Sequence, residues 1–394
     1  MQTMINNLKY STLFTQEEIQ KIIDLTQTEE TPFLIVDLKK IEHQFKKLQK
    51  AFHYAKIYYA IKANPHEKIV TLLNKLGSYF DIASIYELDH ILKLGVSPEK
   101  ISYGNTIKKI RDIKYAYEKG VRLFVCDNET DLINLSKYAP GANVFFRLLT
   151  NGDGADWPLS RKFGAHPDLI YKLIKKASKM DINPIGLSFH VGSQQRDIGQ
   201  WDNAIAQSFS LFRSLKKNDI KLSLLNIGGG LPASYLQPTP EITIYANQIY
   251  NFLVDYFTES QIPDIIIEPG RGLVGDAGVI VSKVIFTEKK AEYNQYKWVY
   301  LDIGVFGGLI ETLGESIKYP IYIPNKNWTK TQEVILAGPT CDSMDILYED
   351  FKYNFPEEIE PEDLVLFFAT GAYTTTYSSV WFNGFPPLKS IIWE

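Results

Sequence analysis

Eight short stretches rich in β-branched and aromatic residues recur between residues 56 and 270, with helix-like segments between them. They are KIYYAIK (56–62), SYFDIAS (78–84), ISYGN (101–105), RLFVCD (122–127), NVFFRLL (143–149), GLSFHVGS (186–193), KLSLLNIGGG (221–230) and DIIIEPG (264–270). A strand and a helix that alternate eight times predict a (β/α)8 barrel, the TIM-barrel class of α/β folds. The alternative is a doubly wound open sheet, but the G-x-G-x-x-G turn expected after its first strand is absent.

Segments outside these strands predict the rest of the architecture. HEKIVTLLNKLG and IYELDHILKLG have helical periodicity and end in glycine, as helices often do. TQEEIQKIIDL, near the N-terminus, predicts a helix capped by Thr15. After residue 270, β-branched and aromatic runs such as GVIVSKVIF, KWVYLDIGVF and DLVLFF alternate with Gly, Pro and Asn. We therefore predict a barrel over residues 31–265 and an all-β domain over residues 266–394, with part of 1–30.

Composition argues against several classes of partner. The chain has 394 residues and a net charge of -4, so it lacks the basic footprint of a nucleic-acid-binding protein. No run approaches the roughly 18 apolar residues of a membrane span, and MQTMINNLKYSTLF does not resemble a signal peptide. Two cysteines, Cys126 and Cys341, do not make a disulfide framework. We predict a cytoplasmic protein with no nucleic-acid partner, no membrane partner and no metal site, and we interpret Lys108-Lys109 as a solvated helix face.

Polar residues collect where the predicted barrel strands end. In a (β/α)8 barrel the active site lies at the C-terminal ends of the strands. Each polar residue has a structural explanation by itself, such as a core histidine or an ion pair, but their coincidence at one rim predicts a site. In chain order the residues are Lys62, Asp81, Arg147, His190, Ser193, Gly228, Gly229, Gly230, Glu268 and Arg271.

The glycine triplet after the seventh strand and Arg271 after the eighth predict a phosphate site. A glycine-rich turn exposes backbone N–H groups to an anion, and barrels often bind phosphate at these two loops. Pyridoxal 5′-phosphate (PLP) needs such a cradle, a lysine for its aldehyde, a carboxylate at the pyridine nitrogen and a group that stacks on its ring. Neutralisation of Lys62 as an imine would explain a lysine at the end of an apparently buried strand.

Seven motifs resemble those of the fold-type III PLP-dependent decarboxylases of basic amino acids, the ornithine and lysine decarboxylase group. They are YYAIKANP, FDIAS, SFHVGSQ, NIGGGLP, EPGRGLV, AGPTCDSMD and GAYTTTYSSVWFNGF, in this order along the chain. The match runs from about residue 30 to the C-terminus. The resemblance implies an alanine-racemase-like barrel with a C-terminal β domain. It also implies a head-to-tail homodimer with shared active sites that decarboxylates a basic L-amino acid.

The resemblance also implies roles for residues of the barrel. Lys62 would be the Schiff-base lysine, Glu268 the partner of the pyridine nitrogen and His190 the residue that stacks on the ring. Asp81 and Arg147 would form a supporting charge pair near Lys62. The stretch GDGADWPLSRKFG resembles the mobile loop that covers the active site. Further contacts to the coenzyme and its phosphate would come from Ser193, Gly229, Gly230, Gly270, Arg271 and Tyr373.

In the β domain the resemblance implies residues that complete the partner subunit's active site. Cys341 would protonate Cα, a role that suits a thiol because the ordinary pKa of this group is about 8.5. Asp342 would bind the distal amine of the substrate, and Phe382 would line the pocket. The chain departs from the family pattern at GVFGGLIETLGES, where Glu315 replaces an aspartate that binds the same amine. The longer side chain would shorten the pocket and favour ornithine, and lysine stays open.

Several relatives of this group are alternatives. Diaminopimelate decarboxylase would need cations for a distal carboxylate and typically carries CES where this chain has TCDS. Arginine and carboxynorspermidine decarboxylases stay open. An alanine-racemase-type isomerase would place an arginine, not Glu268, at the pyridine nitrogen. An antizyme-inhibitor-like homologue would be non-catalytic, but Lys62, Arg271, Cys341 and Tyr373 are all present. We therefore predict a decarboxylase of the ornithine decarboxylase type.

Overall fold

The computed structural model describes residues 12–158 and 161–394. Within these ranges the chain divides into two compact units. The barrel unit comprises residues 42–232 and 240–273, and the β unit comprises residues 12–41, 233–239 and 274–394. The barrel therefore begins later than residue 31, because β1 (Phe33–Asp37) pairs with two strands of the β unit. It also extends past residue 265, because the last barrel strand ends at Ile267.

Eight parallel strands close into a barrel, as the sequence predicted. The barrel strands are β2 (Ala55–Ala60), β3 (Tyr79–Ile82), β4 (Ile101–Tyr103), β5 (Leu123–Cys126), β6 (Asn143–Arg147), β8 (Asn183–Ser188), β10 (Leu224–Asn226) and β11 (Asp264–Ile267). Each strand overlaps one of the eight stretches recognised in the sequence. Two further strands, β7 (Ala155–Trp157) and β9 (Ser193–Gln195), form a separate antiparallel pair.

Helices alternate with the barrel strands. The α-helices run, in order, α1 (Gln16–Leu25), α2 (Leu38–Ala51), α3 (Glu67–Lys75), α4 (Ile85–Lys93), α5 (Ile110–Glu118), α6 (Glu129–Tyr138), α7 (Pro167–Ala177), α8 (Gly199–Lys216), α9 (Ile242–Phe257) and α10 (Arg271–Val274). Helices α3 and α4 are followed by Gly77 and Gly95, both in the left-handed conformation that terminates helices. The glycine endings read from the sequence are therefore confirmed.

Apolar side chains from five strands fill the barrel. Tyr58, Val125, Phe145, Leu224 and Ile266 form one buried cluster, and none is more than 7% exposed. Removing a side chain of this size from water contributes about 1.5–3 kcal/mol. Because the interior is packed, the C-terminal ends of the strands are held in fixed relative positions, and those ends carry the polar residues described above.

The β unit contains one mixed sheet, which confirms the all-β domain. Its strands follow the order β14-β17-β12-β13-β15-β16, with β1 joined to β12 and β18 joined to β1. The strands are β12 (Gly278–Glu288), β13 (Lys297–Leu301), β14 (Ile321–Tyr322), β15 (Thr331–Ala337), β16 (Ile346–Pro356), β17 (Leu364–Phe368) and β18 (Lys389–Trp393). Strand β16 did not stand out in the sequence because charged residues interrupt its apolar run, and β18 did not because its apolar run, IIW, is short.

Helix α1 packs on this sheet. Its apolar residues Ile19 and Ile22, with Phe14 before them, join a buried cluster that includes Phe33 of β1. The Thr15 side chain accepts from the Glu18 N–H, and the Glu18 carboxylate accepts from the Thr15 N–H, which completes the capping predicted from the sequence. None of the described helices combines the length and the hydropathy that a membrane crossing requires.

Lys108 contradicts the interpretation of Lys108-Lys109 as a solvated helix face. Its side chain is 0% exposed and precedes α5. Lys108 Nζ donates to Asp131 Oδ2 at 2.7 Å and to the carbonyls of Val125 and Asn105 at 2.8 and 3.0 Å. Three acceptors offset the lost hydration of the ammonium, so the lysine anchors the loop after β4.

Candidate active site

Lys62 lies just beyond β2, in a single 3-10 turn formed by residues Ile61–Ala63. Ile61 and Ala63 are buried, whereas the Lys62 side chain is 51% exposed. The sequence suggested that Lys62 is the last residue of a buried strand, but the lysine lies beyond the end of β2 in this turn. The turn buries the apolar neighbours and leaves the ammonium accessible at the barrel rim. Lys62 Nζ lies 3.4 Å from Asp81 Oδ2.

Asp81 is a buried acid, only 3% exposed. Its Oδ1 atom has no hydrogen-bond partner within residues 12–158 and 161–394. Burial, together with the nearby Glu268 charge, raises the pKa of Asp81, and the Lys62 ammonium opposes this rise. A Cβ at Gly104 would lie 1.8 Å from Asp81 Oδ1, so the missing side chain at position 104 makes room for the acid.

The expected ion pair between Asp81 and Arg147 is not formed in the described chain. Asp81 pairs with Lys62 instead. The Arg147 guanidinium carbon lies 5.0 Å from the ring centroid of Phe163. Burial lowers the pKa of Arg147, and the charges of Glu268 and Asp81 oppose this decrease. Arg147 therefore interacts electrostatically with both acids at longer range.

Glu87, in the first turn of α4, is a further acid at this rim that the sequence analysis missed. It accepts from the Ala83 N–H at 2.6 Å, and its own N–H donates to Ser84 Oγ at 3.2 Å. Burial raises the pKa of Glu87, and the Lys62 ammonium opposes the rise. The Ser84-x-x-Glu87 pattern predicts a capping box, but the Glu87 carboxylate accepts from Ala83 and not from Ser84, and the pattern does not reveal that Lys62 is close enough to affect the pKa of this acid.

Glu268 follows β11 and is bound to the loop after β10. Asn226 Nδ2 donates to Glu268 Oε1 at 2.5 Å, and the Glu268 N–H donates to the Gly228 carbonyl at 2.8 Å. Asn226 Oδ1 accepts from the Gly228 N–H at 2.9 Å. Asn226 belongs to the NIGGGLP motif but was not recognised as a site residue, because an asparagine two residues before a glycine usually indicates only a turn.

The glycine triplet requires residues without side chains. A Cβ would lie 2.2 Å from the Phe189 carbonyl oxygen at Gly228, and 2.7 Å from the Glu268 carbonyl oxygen at Gly229. At Gly230 it would lie 2.6 Å from another carbonyl oxygen, and Gly228 and Gly230 have positive φ angles. The turn can therefore approach its neighbours closely only as glycine.

Arg271 and Ser193 meet beside this turn. Arg271 is 3% exposed, and its Nε donates to Ser193 Oγ at 3.1 Å. The Gln195 N–H donates to the Gly230 carbonyl at 2.9 Å, which ties β9 to the glycine turn. Gly270 precedes Arg271 at the start of α10, and its carbonyl accepts from the Leu273 N–H. Ser193, Arg271 and the glycine turn, which were predicted to hold a phosphate, therefore lie together in the barrel unit.

His190 lies two residues beyond β8. Its Nδ1 accepts from the Gly192 N–H at 3.0 Å, so Nε2 carries the proton of the neutral ring. Thr150 Oγ1 donates to the His190 carbonyl at 2.5 Å. Burial, with help from the Arg147 and Lys62 charges, lowers the pKa of His190 to about 3. The imidazole is therefore uncharged at neutral pH, as a group that stacks on an aromatic ring should be.

The stretch GDGADWPLSRKFG has its first half attached to the barrel. Ala155 pairs with Gln195, and Trp157 pairs with Ser193, in the β7–β9 ladder. Arg196 Nη2 also lies 2.6 Å from Asp156 Oδ1. Leu159 and Ser160, in the second half of the stretch expected to be mobile, lie outside the described residues.

Cys341 and the FNGF motif are neighbours in the β unit. Cys341 is an exposed free cysteine, and its N–H donates to Asn383 Oδ1 at 2.8 Å. Phe382 packs against Phe306, with 4.8 Å between ring centroids. Asp342 Oδ1 accepts from the Met344 N–H at 2.9 Å. Cys341, Asp342 and Phe382 therefore lie on adjoining loops.

Asp345 holds these loops and was missed in the sequence. It is 3% exposed, and its oxygens accept from the Val305 N–H and from both the N–H and the hydroxyl of Thr340 at 2.7–3.0 Å. A Cβ at Gly304 or Gly338 would lie within 2.3 Å of Asp345 Oδ1. The motif AGPTCDSMD therefore ends in a buried acid, Asp345, four residues after Cys341. This acid packs closely against Gly304 and Gly338.

Two predicted residues have other contacts within the β unit. Glu315 Oε1 accepts from the N–H groups of Glu349 and Asp350, and Oε2 accepts from that of Phe351, all at 2.7–2.8 Å. The carboxylate of Glu315 thus binds backbone amides within β16. Its contact with the substrate amine stays a prediction. Tyr373 follows β17 with a positive φ and stacks on Tyr377, with 6.0 Å between centroids.

Comparison with known proteins identifies the family. Residues 38–275 match the family model described as pyridoxal-dependent decarboxylase, pyridoxal binding domain. The chain is 32% identical to a lysine/ornithine decarboxylase of Selenomonas ruminantium over 92% of its length and 90% of the relative's. It is 33% identical to antizyme inhibitor 2 of Xenopus laevis, over 96% of this chain and 85% of that one.

A solved structure has the same fold. The lysine/ornithine decarboxylase of Vibrio vulnificus, complexed with cadaverine, superimposes with a TM-score of 0.86 and 29% identity, over 96% of this chain and 99% of that chain. The chain therefore belongs to the pyridoxal-dependent decarboxylase family. The predicted fold, coenzyme and enzyme class are confirmed.

The residues of the barrel unit fit PLP. Arg271 and Ser193 offer a phosphate a guanidinium and a hydroxyl group, and the glycine turn beside them has no side chains to obstruct it. Glu268 offers Oε2, which accepts no hydrogen bond from the described protein, to a pyridine nitrogen. Lys62 provides an accessible amine beside a buried acid. These are the chemical groups that the coenzyme requires.

Proposed function

We propose that this chain decarboxylates a basic L-amino acid, with L-ornithine as the preferred substrate, putrescine as the product and L-lysine as the second substrate. The observation that carries the substrate class is a cavity of about 690 Å³ in the β unit. Its lining combines the acidic residues Glu30 and Asp302 with the rings of Phe306, Phe382 and Phe385. A diamino acid has an aliphatic stem, which suits these rings, and a terminal ammonium, which suits an acidic environment.

The same cavity disfavours diaminopimelate. That substrate ends in a carboxylate and would need an unpaired cation. Lys389 is the cation of this lining, and its Nζ already binds the Glu29 carboxylate. Similarity to relatives named ornithine or lysine/ornithine decarboxylase supports the same substrate class.

Residues of the barrel unit would hold the coenzyme. When bound, PLP supplies an electron sink for the charge left at Cα after CO2 departs. Glu268 Oε2 would accept the N–H of the pyridine ring, and neutral His190 would cover one ring face. Lys62 would bind the aldehyde carbon. The phosphate would be held by Ser193, Gly229, Gly230, Gly270 and Arg271, and we propose Tyr373 as a further contact.

Residues of the β unit would act on the substrate. Cys341 Sγ would deliver a proton to Cα, which completes the replacement of the carboxyl group by hydrogen. Asp342 would bind the distal ammonium, and a charge-assisted hydrogen bond of this kind contributes about 1.5–3 kcal/mol. Phe382 would pack against the aliphatic stem. Glu315 is a weaker second candidate for the ammonium, because three backbone amides already engage its carboxylate.

We further propose a cytoplasmic homodimer in which the β unit of one copy completes the barrel site of the other. Support comes from exposed apolar side chains near Cys341, such as Val380 and Trp381, which are 74% and 63% exposed. Such side chains usually indicate a protein interface. The exposed free thiol of Cys341 suits a reducing compartment.

A non-catalytic regulator is the second candidate function. It is favoured by the similarity to antizyme inhibitor 2, which spans 96% of this chain. The complete set of Lys62, Glu268, Arg271 and Cys341 supports the enzyme instead.

Product analysis decides between these functions. The purified protein is supplied with PLP and with ornithine, lysine, arginine and diaminopimelate in competition, and CO2 and amine products are quantified. We expect putrescine to exceed cadaverine, and borohydride to fix the coenzyme on Lys62. Lys62→Ala should lose both the fixed coenzyme and turnover. Absence of any amine product from coenzyme-loaded protein would support the regulator, and a predominant lysine product from diaminopimelate would refute the substrate class.

A further inference from the structure

Asn226, the last residue of β10, connects two parts of the coenzyme site. It is 1% exposed. Its Nδ2 donates to Glu268 Oε1 at 2.5 Å, and its Oδ1 accepts from the Gly228 N–H at 2.9 Å. One amide group therefore contacts both the carboxylate assigned to the pyridine nitrogen and the first residue of the glycine turn assigned to the phosphate.

The barrel holds the backbone of Asn226 on both sides. Asn226 pairs with Ser188 of β8 and with Ile266 of β11. Its carbonyl also accepts from the Phe189 N–H at 3.1 Å. The direction of the side-chain amide is therefore set by the closed sheet and not by a mobile loop.

The contact with Oδ1 alone has an ordinary structural explanation. Asparagine side chains often accept from the N–H two residues later, which forms an Asx turn. The contact made by Nδ2 is different, because it supplies the one side-chain hydrogen bond to Glu268 within the described ranges. It leaves Oε2 available to a ligand.

The charges around Glu268 show what this donated N–H can do. Asp81 is a second acid close enough for the Glu268 charge to raise its pKa, and Arg147 is a nearby cation. A donated N–H holds the carboxyl group that receives it in one orientation in the presence of these neighbouring charges. Asn226 donates to Glu268, while Asp81 Oδ1 has no donor in the described chain.

We propose that Asn226 is a positioning residue that directs Oε2 of Glu268 towards the pyridine nitrogen and holds the glycine turn in place for the phosphate. The inference rests on the proposed function and deepens it. It assigns the electronic state of the coenzyme ring to a pair of residues, Asn226 and Glu268, rather than to the acid alone.

Three variants test this proposal. Asn226→Ala removes both contacts. Asn226→Asp has the same shape and keeps the acceptor for the Gly228 N–H, but it has no amide N–H to donate to Glu268. Asn183→Ala is the matched control. It removes an exposed asparagine at the start of β8, whereas Asn226 pairs with Ser188 at the end of that strand. For each purified protein we would measure the dissociation constant for PLP, the visible absorption spectrum of the bound coenzyme, kcat and KM.

Asn226→Ala should weaken PLP binding and lower kcat by about tenfold or more each, the factor expected for one hydrogen bond to a charged group. KM should stay within about twofold, because Asn226 does not contact the substrate. Asn226→Asp should bind PLP more tightly than Asn226→Ala, yet show a similar loss in kcat and a similar change in the visible spectrum. Asn183→Ala should match the wild type in all four quantities.

The proposal is overturned if both Asn226 variants match Asn183→Ala in PLP affinity, spectrum and kcat. It is also overturned if Asn226→Asp matches the wild type in spectrum and kcat, because the amide N–H would then be dispensable. If Asn226→Ala does not fold, the Asn226→Asp spectrum and kcat decide alone. A wild-type protein that binds no PLP would remove the proposed function itself, whereas an active wild type with indifferent variants would remove this inference only.

Discussion

At the scale of single residues, the chain contains two cysteines in opposite environments. Cys341 is exposed on a loop of the β unit, whereas Cys126 is buried at the end of β5, where burial raises its pKa. A proton donor must be reachable by substrate, so the two thiols allow a matched comparison.

Cys341→Ala should lower kcat by about 100-fold or more, the usual contribution of a positioned proton donor. Turnover should also shift towards abortive transamination, because Cα then lacks its proton source. Cys126→Ala should leave the rate and the product ratio nearly unchanged. Amine and aldehyde products, measured together, check the prediction, and an unaltered rate in Cys341→Ala would remove the proton-donor assignment.

His190 should make stability depend on pH. Its pKa is about 3 in the folded chain and 6.5 in the reference state. Below about pH 6.5 the imidazole of the unfolded chain binds a proton, whereas that of the folded chain stays neutral. The free energy of unfolding should therefore fall as pH decreases from 6.5 towards 3. Denaturant unfolding at pH 5 and pH 7 should show a smaller difference for His190→Gln than for the wild type. Identical pH differences would contradict this, and exposed His43→Gln is the control.

Residues whose chemistry is rare at strand ends could be predicted from the sequence. Lys62, Glu268 and Arg271 stood out because charged groups seldom follow buried strands. Asn226, Glu87 and Gly104 could not be predicted, because their importance depends on atoms brought close by the closed barrel. Asp345 was inconspicuous for the same reason, since one of its partners, the Val305 N–H, lies on another loop.

At the scale of elements, the β7–β9 pair joins the loop after β6 to the strand that carries Ser193. Gln195 is central to this attachment. It is 0% exposed, and its Nε2 donates to the carbonyls of Asp153 and Val191 at 2.8 and 2.7 Å. One side chain therefore links the loop, the segment after His190 and the coenzyme cradle.

Gln195→Ala should lower the free energy of unfolding by about 2 kcal/mol, because two carbonyls lose a buried donor. The loop should also become easier to cleave by a protease. Gln207→Ala, at an exposed position of α8, should change neither quantity. Denaturant unfolding and timed proteolysis measure both effects, and equal cleavage of the two variants would argue against an anchoring role.

Elements were easier to predict than their ends. The apolar stretches located all eight barrel strands, since a strand buried on both faces needs a run of apolar residues. Their ends depend on hydrogen bonds to neighbouring strands, so β10 spans only Leu224–Asn226 within a stretch of ten residues. Strand β18 was missed because its pairing with β1 crosses almost the whole sequence.

At the scale of the whole molecule, shared active sites should allow complementation. Lys62→Ala inactivates the barrel contribution, and Cys341→Ala inactivates the β-unit contribution. Mixed subunits that exchange at random should regain about a quarter of the wild-type activity, because half of the dimers contain one intact site. Activity after mixing and re-association, compared with each variant alone, is the measurement. No recovery despite proven subunit exchange would place both residues in one subunit's site.

The parallel pairing of β1 with β18 has a consequence for biosynthesis. Phe33 lies opposite Lys389, so β1 cannot gain this neighbour until the ribosome has synthesised β18. The nascent barrel can close earlier, because its strands all lie between residues 55 and 267. A chain that stops before residue 389 would have a complete barrel but would leave one edge of β1 unpaired, and an unpaired strand edge promotes association with other incomplete chains.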